Sequence, residues 1–218
     1  DMLYLRVKTS EKMDKLEEYL FIPSFEITES MVSSVIDSIS NHDDLSDSPA
    51  CNACVRDAFY MITGSTILYP SNGWRECVTC GGDYVEGGQV GKKGKANHIY
   101  NDLTEDDGAL KPYFDKINNM EGEDYPNFAQ MQESVNNGQI IIGAYYNPDG
   151  MGHVVVMIPE RFYVEKNDDD KYIDIDNNNR LKRPISLECG IGTKRIKPTS
   201  YDHVEIKDFK WFKYNPKK

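Results

Sequence analysis

The feature that most constrains this chain is a pair of apolar runs joined by a turn. Gln139-Ile140-Ile141-Ile142-Gly143-Ala144-Tyr145-Tyr146 is rich in β-branched and aromatic residues, the types that fit a pleated, half-buried surface. Asn147-Pro148-Asp149-Gly150 carries turn chemistry. His153-Val154-Val155-Val156-Met157-Ile158 follows as a second strand and is stopped by Pro159. Two more strands are expected over residues 184–189 and 204–214. Helical patterns precede all of these. Ser10 starts one in residues 10–16, and residues 28–39 place Met31, Val35 and Ile39 along one face. Helices first and a meander of antiparallel strands after them is an α+β order.

A third helix is expected from Cys51. Ser48-Pro49-Ala50-Cys51 pairs an N-cap serine with proline at the first helical position, and Gly64 ends the segment. Cys51, Val55, Ala58, Phe59 and Ile62 share a face. Residues 95–103 and 128–135 read as further helices, and residues 73–95 as loop or short hairpins. At 218 residues the chain suits one principal core. We divide it into an N-terminal helical extension over 1–46 and a main domain over 47–218, with no internal repeat.

Charge and composition exclude some classes of function. A net charge of −11 argues against a nucleic-acid partner, which needs clustered Lys and Arg. Lys92-Lys93-Gly94-Lys95 and Lys194-Arg195-Ile196-Lys197 are expected to be solvated loops. No apolar run has the length of a membrane span. Asp1 is not followed by a basic segment and an apolar run, so any signal peptide is expected to be removed or never present.

The chain has five cysteines and four histidines. A thiol becomes a nucleophile when it ionises, and the first turn of a helix stabilises negative charge. Cys51 is placed there. A base within hydrogen-bond reach and a third group to orient that base would complete the chemistry. Among the histidines, His42 falls in a polar loop, His98 on a helix and His203 at the start of the last strand. His153 opens a strand after a Gly-rich turn, where its ring can face a cleft. Taken singly, a helix cysteine is ordinarily a core thiol, and a histidine at a strand start is ordinarily structural.

Taken together, these segments resemble a family. Cys51-Asn52-Ala53-Cys54-Val55 is similar to the helix start of papain-like cell-wall hydrolases of the NlpC and CHAP types, which include secreted amidase effectors. Asn137-Gly138-Gln139-Ile140-Ile141-Ile142 with Gly152-His153-Val154-Val155-Val156 resembles that family's hairpin ending in Gly-His. Ala96-Asn97-His98-Ile99-Tyr100 is similar to a helix between its catalytic segments. The resemblance spans residues 48–190. It implies a papain-like fold, with a helix bearing the nucleophile packed on an antiparallel sheet. Cys51 would be the nucleophile, His153 the base and Glu188 the orienting group, with Asp174 and Asp176 as alternatives for the third role. It also implies a secreted or periplasmic enzyme without a cofactor, a peptidoglycan stem peptide as substrate, and, for a toxin, a protein inhibitor or immunity partner. Cys54 stands where that family more often has an aromatic residue.

Other chemistries fit parts of the sequence. Cys51-x-x-Cys54 and Cys77-x-x-Cys80 have the spacing of a tetrahedral zinc site, and under that reading the protein is a binding module with an inert Cys51. A Cys77–Cys80 or Cys54–Cys77 disulfide beside a reduced Cys51 suits an oxidising compartment. Asp174-Ile175-Asp176-Asn177-Asn178 begins like a calcium loop, but Asn179 replaces the glycine and Ile185 the closing glutamate.

Overall fold

A computed structural model describes residues 24–40, 51–68, 75–76, 83–84, 95–149, 152–163, 183–190, 193–199 and 204–216. Four helices are present among them: α1 (Glu29–Ser40), α2 (Cys51–Thr63), α3 (Lys95–Thr104) and α4 (Phe128–Asn136). The strands are β1 (Arg75–Glu76), β2 (Asp83–Tyr84), β3 (Phe114–Lys116), β4 (Ile141–Tyr145), β5 (His153–Met157), β6 (Ile185–Gly190), β7 (Thr193–Pro198) and β8 (Lys210–Tyr214). β1 and β2 form a separate short hairpin, and the other six make one antiparallel sheet in the order β3-β8-β4-β5-β6-β7. The fold is therefore α+β.

Most elements start and stop where the local chemistry requires. Asn127 caps α4 by accepting a hydrogen bond from the Gln130 N–H at 3.1 Å, and the Thr28 hydroxyl accepts from Met31 at the start of α1. Gly138 links α4 to β4 at φ +86°, and a β-carbon there would press on the Phe25 backbone. Only glycine accepts both the left-handed backbone and that approach. Ser48 and Pro49, expected to start α2, lie outside the described residues, as does the 10–16 helix.

The sheet carries two apolar clusters, one on each face. On the first face, Cys51, Cys54, Val55, Ala58 and Phe59 of α2 pack on Val154, Val156, Ile158, Ile185 and Leu187, with Ile27, Val32 and Val35 from the N-terminal segment. The described part of residues 1–46 therefore shares its core with the main domain. On the second face, Phe128, Met131 and Val135 of α4 pack on Ile141, Val155, Met157, Phe209 and Trp211. β5 is buried on both sides, which explains an unbroken apolar run rather than an alternating one.

Three expectations differ from what is observed. Residues 204–214 are not one strand: a single helical turn, Ile206–Asp208, precedes β8, and the Asp208 carboxylate accepts from the Glu205 N–H. β3 was not expected, being only three residues long. Lys194-Arg195-Ile196-Lys197 is no loop but the body of β7, which pairs antiparallel with β6.

Candidate functional site

Cys51 opens α2, is 6% exposed, and carries a thiol that is not in a disulfide. The first-turn N–H groups of a helix favour a thiolate at such a position. Cys54, one turn further on and fully buried, is disulfide-bonded. The side chains of Cys77, Cys80 and Cys189 lie outside the described residues. The C-terminal half of α2 sits over the far end of β5, where Ala58, Met61 and Ile62 surround a small cavity with Ile158 and Leu187. That orientation puts Cys51 toward the end of β5 at which His153 stands.

His153 is the first residue of β5 and is 4% exposed. Its ring meets Phe209 edge-on at 6.2 Å. Burial, and secondarily the positive charge of Lys197, lower its pKa from 6.5 to about 3. The imidazole is therefore neutral at physiological pH and can accept a proton, although buried in this way it is a weaker base than one matched to that pH. Across the β5–β6 ladder lies Glu188, whose Oε2 is 3.9 Å from His153 Nε2. Side chains alternate along β6: Ile185 and Leu187 join the first-face cluster, and Ser186 and Glu188 lie on the second face, both buried. Glu188 is thus a buried carboxylate rather than an exposed one.

Lys197 was missed by sequence reasoning. Its Nζ donates to Glu188 Oε2 at 2.8 Å from the neighbouring strand β7. The Ser186 hydroxyl donates to Glu188 Oε1 at 3.2 Å and is 2.8 Å from the Thr199 hydroxyl. In the β6–β7 register Arg195 stands opposite Glu188, which puts Lys197, two residues on, at the diagonal cross-strand position; the sequence, read as a loop there, carried no signal of this contact.

Asn97 is a second buried polar group that the sequence did not single out for a role. Its amide donates to the Asn147 carbonyl at 2.8 Å, and its Oδ1 accepts from the Asn147 N–H at 3.0 Å. Gly152, next to His153, passes so close that a β-carbon would collide with Asn97 Oδ1 and the Tyr145 carbonyl. Helix α3 thereby fixes the turn that delivers the histidine.

The structure brings together His153, Glu188 and Lys197. Cys51 shares their end of the sheet, but side-chain alternation assigns it to the other face. His153, Val155 and Met157 share the side covered by Phe209, whereas Cys51 packs with Val154 and Val156. Compared with known proteins, the chain matches no family model, no curated protein and no solved structure. The chemistry of the site therefore rests on geometry.

Among the described residues no group of three or more His, Cys, Asp or Glu could hold a metal ion. Asp174, Asp176, His42 and His203 lie outside the described residues, and so does the calcium-like segment. His98 is half-buried on α3, which packs against α2. No described helix is long and apolar enough to cross a membrane.

Proposed function

We propose that the chain is a papain-like cysteine hydrolase that cleaves amide bonds in the stem peptides of peptidoglycan. The observation that carries this reading is a reduced, buried thiol in the first turn of α2, at the end of the sheet where a buried neutral histidine stands beside a carboxylate. In the reaction, His153 takes the Cys51 proton as Sγ attacks the amide carbonyl. The Cys51 backbone N–H donates to the developing oxyanion. The protonated imidazole gives its proton to the departing amine, and water then hydrolyses the thioester. Because His153 belongs to the second face, its imidazole must meet the thiol around the N-terminal end of β5. Glu188 orients the imidazole.

The Cys54 disulfide supports a secreted or periplasmic setting, since such bonds persist where conditions are oxidising. The acidic charge supports a partner other than nucleic acid, and a protein inhibitor or immunity partner suits a toxin role. Digestion of purified peptidoglycan, with fragments identified by mass, tests the reading. Wild type is expected to release new amine termini and Cys51→Ala none. Equal release by both would remove Cys51 as nucleophile.

A second arrangement is raised by the face assignment, in which His98 rather than His153 serves Cys51 from α3, the helix that packs against α2. The zinc-module reading needs Cys54 as a thiolate, a state its disulfide withholds until it is reduced. Stoichiometric zinc in the reduced protein, lost in Cys51→Ser, would favour the module.

A further inference from the structure

The ion pair between β6 and β7 has a consequence for the histidine. Glu188 Oε2 accepts from Lys197 Nζ at 2.8 Å, and His153 Nε2 stands 3.9 Å from the same oxygen, beyond hydrogen-bond distance. Both side chains of the Lys197–Glu188 pair are largely removed from water, at 19% and 4% exposure. Burying charges in this way is costly unless they are paired. A purely structural role would be served as well by apolar residues, which makes the position of this pair beside a buried imidazole informative. Ser186 and Thr199 complete the carboxylate's surroundings from the same face.

We propose that Lys197 is a positioning residue for His153, acting through the Glu188 carboxylate that it holds beside the ring. The ammonium pins Glu188 beside the imidazole and neutralises it. Glu188 then orients the ring, and the ammonium adds to burial in holding the imidazole's pKa down. Without the ammonium, the buried carboxylate would share a proton with the imidazole, and the two groups would titrate as a pair. The groups facing His153 are Glu188 from β6, Lys197 from β7, Tyr145 directly opposite on β4, and Phe209 ahead of β8. Lys197 supplies the positive charge in that set.

This inference deepens the reading of His153 as base, but its test does not require hydrolysis. The imidazole resonances of His153 are followed against pH by NMR in the full chain and assigned with His153→Gln. Wild type and Lys197→Arg are expected to keep a neutral ring down to the lowest pH at which the fold survives. Lys197→Met is expected to raise the apparent pKa by about one unit or more. Lys197→Gln, which keeps a donor for the carboxylate without the charge, is expected to raise it too. Unchanged titration in the folded Lys197→Gln and Lys197→Met proteins would overturn the proposal and leave a merely structural ion pair. A shifted titration in a protein that cleaves no peptidoglycan would leave this inference standing and remove only the substrate reading.

Discussion

The two faces of the six-stranded sheet are built from the same strands and do different work. The first, against α1, α2 and α3, is a continuous apolar core that includes Cys51. The second has an aromatic half around Phe128, Phe209 and Trp211 and a polar half where β5, β6 and β7 meet. An apolar face stabilises whatever its detailed shape allows, whereas a buried polar cluster does so only when all its members are satisfied. The first face carries the apolar core together with the Cys51 thiol, and the second carries the buried polar cluster around His153 and Glu188.

That contrast can be broken most forcefully on the first face. Phe59 is fully buried, with its ring 4.8 Å from Tyr214 and 5.8 Å from Phe114. Phe59→Ala is expected to cost about 4 kcal/mol in denaturant unfolding. A cost comparable to that of a surface substitution would contradict the assignment of this face as the core.

On the second face, Glu188→Ala leaves a largely buried ammonium without its carboxylate and is expected to cost about 3 kcal/mol. The double variant Glu188→Leu with Lys197→Met is expected to recover most of that loss while abolishing the site's chemistry. If the double variant is as unstable as the single, the pair belongs to the scaffold and the contrast between the faces fails. Asn97→Ala, which strips two partners from the Asn147 backbone, is expected to cost about 2 kcal/mol. Its distinctive outcome is faster amide exchange confined to the 145–149 turn.

The last expected effect is a pH dependence. His153 has a folded-state pKa lowered to about 3 from an unfolded value of 6.5. Below pH 6.5 the unfolded chain binds a proton that the folded chain refuses, so stability falls as the pH drops from 6.5 toward 3. Above 6.5 both states are neutral there and this contribution is flat. The slope is expected to approach about 1.4 kcal/mol per pH unit for that one group. His153→Gln is expected to remove it, as measured by unfolding at pH 5 and pH 7.

Much of the architecture was legible because local chemistry and periodicity agreed. Cys51, Val55, Ala58 and Phe59 announced the buried stripe of α2, and the two apolar runs around Asn147 announced β4 and β5. β7 was hidden because three of the four residues in Lys194-Arg195-Ile196-Lys197 are charged. A lysine can bury its stem along a sheet and present its ammonium to a carboxylate, and sequence does not say which carboxylate waits there. Val154, Val155, Val156, Met157 and Ile158 are all apolar and all buried. The run therefore carries no mark of which face α2 would cover, and so could not reveal that His153 lies across the sheet from the thiol. Glu188 was found through the resemblance, and the alternation of its strand agreed.

The central claim is that the thiol of one face is served by the imidazole of the other. It is tested most directly by the rate at which purified variants release amine termini from peptidoglycan, with folding checked by circular dichroism. The account predicts a loss of about 100-fold or more for His153→Ala and a near wild-type rate for His98→Ala. A folded His153→Ala protein that cleaves as fast as wild type would contradict it.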